Sequence, residues 1–80
     1  MTEKELAEIE QRCLGATSEP WKSWIEGRDH TAGDSVITTG SDDIYLAGAT
    51  PADQDFIAAA RQDIPNLIAE VRRLKHALNK

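Results

Sequence analysis

The clearest structural pattern in this chain lies in residues 53–80, DQDFIAAARQDIPNLIAEVRRLKHALNK. On a helix, apolar side chains that recur at spacings of three and four lie along one narrow line, which is typical of helices that pair as coiled coils. The sequence therefore predicts a C-terminal helix that associates with another copy. Five residues with this spacing, called the seam below, are the expected oligomer interface: Ile64, Leu67, Val71, Leu74 and Leu78.

Two start signals precede the seam. Thr50 is suited to cap a helix, and Pro51 is suited to its first turn. A second signal follows at Asp63-Ile64-Pro65, where Pro65 cannot donate a hydrogen bond to the preceding turn. The sequence therefore predicts two consecutive helices within residues 51–79, the second beginning near Ile64.

The chain also opens with a predicted helix, over residues 1–15. Thr2 and Glu5 have the spacing of a capping box. Leu6, Ile9 and Cys13 fall on one face of this helix, and Cys13 is interpreted as a small core residue. An alternative to oligomerisation is that the seam packs against this face within one chain, as a helix hairpin.

The middle of the chain, residues 20–49, is rich in Gly, Ser, Thr and β-branched residues. Short strands are predicted at Trp21–Glu26, Ser35–Thr39 and Ile44–Ala47, with turns between them. Helices at both ends and two to three short strands between them indicate an α+β fold in a single domain, residues 1–80, with a small antiparallel sheet. The expected centre of its core is formed by Trp21, Ile37, Leu46, Phe56 and Ile57.

Length limits what such a fold can do alone. A chain of 80 residues buries only about 60% of the surface that its unfolded form exposes. Small domains are often reinforced by disulfides, metals or association. A single cysteine excludes an internal disulfide, and no Cys/His spacing indicates zinc, so no metal or cofactor is expected. Association remains, as a homodimer or a larger oligomer.

Charge is unevenly distributed along the chain. The net charge is −5, but residues 1–63 carry thirteen acidic and five basic side chains, whereas residues 64–80 carry one acidic and four basic. An acidic body disfavours binding to duplex nucleic acid. The N-terminus is charged from Glu3, and no apolar run approaches the ~20 residues that span a bilayer. A cytoplasmic protein without membrane contact is therefore expected.

Three side chains are candidates for contacting a ligand or partner: Trp24, Arg72 and Arg73. Residues three apart on a strand face opposite sides, so Trp21 is assigned to the core and Trp24 to the surface, where an aromatic side chain can anchor a partner. Paired arginines can bind a phosphate through bidentate hydrogen bonds, but they also form ordinary surface ion pairs with acidic residues of the first helix. No arrangement of residues indicates catalysis, so an enzyme is not expected.

Two segments resemble a family of small phage and prophage proteins, often described as Ead-like after the early-region proteins of temperate phages. Members open with a helix that ends in an ATPGPW-type segment, which Ala16-Thr17 and Pro20-Trp21 match here within ATSEPW. They close with a DAxFIAxAR motif before a leucine-rich helix, which residues 55–58 and Ala60-Arg61 match. The resemblance implies a phage or prophage accessory gene and carries no catalytic residues.

Two hypotheses for function follow. The first is a non-catalytic accessory protein that forms a homo-oligomer and binds a host or phage protein through an exposed aromatic residue and an acidic surface. The second is a protein that sequesters a nucleotide signal at a subunit interface, with Trp24 stacking on the base and Arg72 or Arg73 binding the phosphate.

Overall fold

The computed structural model describes residues 1–31 and 33–79, and in these residues the fold is an α+β arrangement of two helices and a two-stranded antiparallel sheet, the class that the sequence predicts. Helix α1 spans Glu3–Gly15, strand β1 Lys22–Trp24, strand β2 Val36–Thr38, and helix α2 Pro51–Leu78. Each strand is shorter than predicted, because the pairing is confined to three residues on each side.

Both helices begin at a complete capping box. The Thr2 hydroxyl accepts from the Glu5 amide at 3.1 Å, and the Glu5 carboxylate accepts from the Thr2 amide at 2.8 Å. Thr50 and Asp53 make the same reciprocal pair at the start of α2, at 3.0 and 3.1 Å. These bonds satisfy amides that a helix terminus otherwise leaves unpaired, so the helix starts predicted at Thr2 and Thr50 are confirmed.

The predicted break at Pro65 is wrong, since α2 is one continuous helix of 28 residues with Pro65 inside it. An internal proline costs about 3 kcal/mol, because it lacks an amide hydrogen and clashes with the preceding turn. Contacts to the N-terminal part of the chain hold α2 on both sides of the proline. Arg61 donates to the Thr17 carbonyl at 2.9 Å, and Arg72 donates to the Glu10 carboxylate at 2.6 Å. Tertiary packing therefore overrides the local signal.

The sheet pairs Ser23 with Ile37 at its centre. The predicted third strand is reduced to one bridge, in which Ile37 and Ile44 exchange backbone hydrogen bonds of 3.0 and 2.8 Å. Gln54 fastens the sheet to α2: its buried amide nitrogen lies within hydrogen-bond distance of the Ser23 hydroxyl and of the carbonyls of Trp24 and Val36. One polar side chain thus joins both strands to the helix.

The core differs from the predicted one. Ile37 is fully buried as expected, but Trp21 and Leu46 are only half-buried, and Ile57 and Phe56 are exposed, Phe56 by 74%. Gln54 and Ala58 turn toward the sheet. At about 100° per residue Phe56 lies some 200° from each of them, on the opposite side of α2. The buried apolar residues are Leu6, Ile25, Ile37, Ala58 and Ile68.

Candidate protein-interaction surface

The seam lies along the side of α2 that faces away from the sheet. Leu67 is 61% exposed and Leu78 is 84% exposed, and Ile64 and Leu74 are exposed as well. Val71 is half-buried. Leucine and isoleucine side chains placed in one row on a helix form a continuous apolar surface, and such surfaces mark interaction sites. The described part of the chain leaves this surface largely uncovered.

Helix α1 covers one edge of the seam. An apolar cleft between the two helices is lined on α1 by Met1, Leu6 and Ile9, and on α2 by Ile64, Leu67, Ile68 and Val71. Ile68 is buried there, whereas the leucines of the seam remain exposed. The helix hairpin considered from the sequence is therefore present at one edge of the seam. The leucines of the seam remain exposed.

A second apolar cleft continues from the seam toward the N-terminal half of α2. Its volume is about 250 Å³, and Cys13 of α1 lies in its wall, half-buried as a small residue beside the core. Because Ile64 belongs both to this cleft and to the seam, the apolar surface extends beyond the five residues identified in the sequence. The cleft is lined by Ile9, Arg12, Cys13, Ala16, Trp21, Ile57, Ala60, Arg61 and Ile64.

Arg72 and Arg73 both bind carboxylates of the chain itself. Arg72 joins the two helices, with its guanidinium 2.6 Å from Glu10 and 2.9 Å from Glu3. These hydrogen bonds, with Glu10 the stronger cause, raise the pKa of Arg72 above its ordinary value. Arg73 pairs with Glu70 one turn earlier, which raises the pKa of Arg73 and lowers the pKa of Glu70. The ion pairs with α1 considered from the sequence are thus present at Arg72.

Trp24 is half-buried at the end of β1. Its indole N–H donates to the Thr38 hydroxyl on β2 at 3.0 Å. The Lys22 ammonium lies 4.2 Å from the centre of the Trp24 ring, a cation–π contact on one face of the indole. Lys22 and Trp24 therefore lie on one side of the strand, and part of the tryptophan is already used in contacts within the chain.

Among the described residues Phe56 is the most exposed aromatic side chain, although the sequence predicts it in the core. It borders a groove of about 470 Å³ between the first turns of α2 and the preceding loop. We call this the Phe56 groove; it is lined by Leu46, Ala47, Gly48, Ala49, Asp53, Phe56 and Ile57. Counting the apolar spacing of the seam backward through Pro65 would have found this surface, because Ile57 and Ala60 continue the same row.

The residues near Asp55 hold the loop after β1 against α2. Arg28 donates to both carboxylate oxygens of Asp55 at 2.7 and 3.0 Å, and it also bonds to Asp29. The Arg28 guanidinium, followed by the Ser23 hydroxyl, lowers the pKa of Asp55 from 3.8 to about 2. Hydrogen bonds from Arg28 and the Ile25 amide lower the pKa of Asp29. The cluster therefore depends on ionised carboxylates.

The two segments that carry the family resemblance meet in space. The Thr17 carbonyl accepts hydrogen bonds from the Trp21 indole at 3.0 Å and from Arg61 at 2.9 Å. Gln62, next to Arg61, accepts from the Trp21 amide at 3.0 Å. These residues fasten the link between α1 and β1 onto α2, so the contacts of the matching residues have a structural role.

Comparison of the chain with family models, with curated proteins and with solved structures gave no match. Across residues 1–31 and 33–79, neither helix combines the length and apolar character needed to cross a bilayer. In the same residues, no group of three or more His, Cys, Asp and Glu side chains is placed to hold a metal ion.

Proposed function

We propose that this chain is a non-catalytic accessory protein of phage or prophage type, which acts in the cytoplasm by binding a host or phage protein and is assembled as a homo-oligomer. The observation that carries the proposal is the exposed apolar row on α2. The described residues bury five apolar side chains in the core, and the seam leaves a comparable number of large apolar side chains in contact with water. In water, covering such a row of apolar side chains lowers the free energy of the chain.

Self-association accounts for the seam. Its residues recur at the spacing of a coiled coil, and the cleft beside it adds apolar area from α1. Covering any one of Leu67, Leu74 and Leu78 would lower the free energy of association by about 1–2 kcal/mol. This value allows for the part of each side chain that is already buried. Dimers are the commonest closed assembly and are our first choice.

The Phe56 groove is the proposed contact for the partner protein. A large aromatic side chain beside a groove is the kind of residue that dominates binding at protein interfaces. The body of the chain, residues 1–63, is strongly acidic, and Asp53 lies in the wall of the groove. The partner surface that fits is therefore basic, with an apolar side chain that enters the groove. Phe56 takes the role that the sequence suggested for Trp24.

The phage or prophage context is supported by the resemblance at both ends of the chain. The matching residues include Thr17, Trp21 and Arg61, whose contacts hold α1, β1 and α2 together. In this proposal these three residues hold the fold together, and binding is carried by Phe56 and the groove beside it.

Affinity capture from a bacterial lysate tests the partner contact. Phe56→Ser is compared with Leu14→Ser, a matched control, because Leu14 is also exposed but lies at the end of α1. We expect a captured protein that is lost with Phe56→Ser and kept with Leu14→Ser, and that binds the purified chain in calorimetry with the same dependence. If both variants still capture the protein, Phe56 does not contact it, and the groove is removed from the proposal.

Nucleotide sequestration ranks second. Arg72 and Arg73 would have to exchange Glu3, Glu10 and Glu70 for a phosphate, and the clefts beside the seam are lined mainly by apolar residues. If a nucleotide does bind there, Arg72→Ala and Arg73→Ala should each weaken binding about tenfold or more, because each loses a charge-assisted hydrogen bond to the phosphate. Calorimetry with linear, cyclic and ADP-ribose-type nucleotides at about 100 μM protein measures this.

A further inference from the structure

The continuity of α2 lengthens the apolar row into three heptads. Counting backward from Ile64 through the helix, Ala60 and Ile57 continue the alternating spacing of three and four. We call these two residues together with the seam the extended seam. In heptad notation the a positions are Ile57, Ile64, Val71 and Leu78, and the d positions are Ala60, Leu67 and Leu74.

The residue types along this row select a particular assembly. Three of the four a positions are β-branched, and two of the three d positions are leucine. β-Branched residues at a with leucine at d favour two-stranded parallel coiled coils, because their shapes fit the different packing geometries of the a and d layers. A strict seven-residue repeat also implies a left-handed supercoil.

The charges beside the row distinguish the two possible orientations. The g positions include Asp63 and Glu70, both acidic, and the e positions include Arg61 and Lys75, both basic. In a parallel pair each g residue faces the e residue of the partner's next heptad. Glu70 then faces the partner's Lys75, and symmetry makes this contact twice. Lys75 has no carboxylate of the described chain within 4.0 Å, so this pair would not replace an ion pair that Lys75 already makes.

An antiparallel pair brings like charges together. In that orientation g faces g and e faces e, so Asp63 approaches the partner's Glu70 and Arg61 approaches the partner's Lys75. Like charges across a helix interface are unfavourable, as they are at neighbouring positions on one helix. The third e residue, Ile68, is buried under α1, so α1 covers the e side of the row at that point, while the d and g side is open there.

We propose that a second copy of this chain covers the extended seam as a parallel, in-register two-stranded coiled coil, in which Glu70 of each copy faces the partner's Lys75. This inference rests on the homo-oligomer proposed above and specifies its geometry. It also has a consequence for binding, because a parallel dimer presents both Phe56 grooves at the same end. A partner with two equivalent sites would then be held bivalently.

Disulfide cross-linking tests the orientation. In a Cys13→Ala background, Ala60→Cys and Leu78→Cys each place one thiol on the extended seam, about 27 Å apart along the helix. A parallel dimer should give covalent dimers from either variant alone in a glutathione redox buffer. Ala69→Cys is the matched control, because this exposed alanine lies at position f, on the outside of the pair.

The other outcomes are distinct. If Ala60→Cys and Leu78→Cys cross-link only when mixed, the pair is antiparallel and the inference is overturned while the homo-oligomer stands. If neither variant cross-links beyond the Ala69→Cys level and sedimentation gives the 8.8 kDa chain, then the homo-oligomer itself is wrong.

A charge reversal gives an independent test. Glu70→Lys should weaken the parallel dimer about tenfold, because two attractive pairs become repulsive, and Glu70→Lys with Lys75→Glu should restore it. Glu70→Lys also removes the pair with Arg73, so Arg73→Gln is the control and should change the dissociation constant by less than about threefold. Stronger association with Glu70→Lys would contradict the parallel arrangement. The introduced ammonium group would then be attracting the partner's Asp63, a contact that requires an antiparallel pair.

Discussion

The two sides of α2 behave as different kinds of surface on one helix. The inner side sends Ala58 and Ile68 into the core and Gln54 into the sheet. The outer side carries the seam, whose leucines remain in water. Leu67 and Ile68 are neighbours in sequence, yet one is 61% exposed and the other 6%. The direction of a side chain, and not its hydrophobicity, therefore separates the residues of the core from those left in water on this helix.

Truncating Leu67 and Ile68 one at a time should have the largest and most different effects. Ile68→Ala should lower the free energy of unfolding by about 2–4 kcal/mol, because it leaves a cavity between α1 and α2. Leu67→Ala should leave the stability of the single chain nearly unchanged and weaken self-association instead. Urea unfolding at low protein concentration measures the first effect, and sedimentation equilibrium measures the second. Equal losses of stability in the two variants would show that both residues are buried within one chain.

Replacing Gln54, the buried polar residue on the inner side of α2, should have a smaller effect on the free energy of unfolding. Gln54→Leu should lower the free energy of unfolding by about 1–3 kcal/mol, because the carbonyls of Trp24 and Val36 lose their buried hydrogen-bond donor. Gln11→Leu is the matched control; Gln11 is exposed on α1, and its replacement should change stability by less than about 0.5 kcal/mol. Circular dichroism during urea unfolding provides the comparison. A Gln54→Leu chain as stable as the Gln11→Leu chain would mean that the amide does not join the sheet to α2.

Acid should loosen the inner side before the outer side. The pKa of Asp55 is 3.8 when it is unpaired and about 2 in the fold. The stability from its pair with Arg28 is therefore present above about pH 4 and is lost as the pH falls from about 4 to 2. Asp55→Asn and Arg28→Gln should each flatten the dependence of the urea midpoint on pH in that range. A wild-type slope in both variants would show that other carboxylates cause the acid sensitivity.

The sequence was sufficient where the signal is local. Both helix starts were predicted from Thr2 and Thr50, because each capping box is complete within four residues. The α+β class followed from the order of patterns. The break at Pro65 was wrong because the compensation comes from contacts with Thr17 and Glu10, which are distant in sequence. No local pattern carries that information.

The candidate surfaces show the same limit. The spacing of the seam identified the outer side of α2, but the false break at Pro65 hid Ile57 and Ala60, which continue it. Phe56 was placed in the core because aromatic residues are usually buried, whereas its position relative to Gln54 turns it outward. The role of Gln54 was missed altogether, since a glutamine in a helix has no distinctive pattern until its partners on both strands are known.

The mass of the wild-type chain in solution, measured by sedimentation equilibrium at micromolar concentrations, shows whether a second copy covers the exposed row on α2. From the exposed row on α2 we expect a species of twice the 8.8 kDa chain mass. Leu74→Asp should convert this species to single chains that keep their helical circular dichroism. A single 8.8 kDa species across that range for the wild-type chain would contradict the account, because the exposed row on α2 would then have no second copy to cover it.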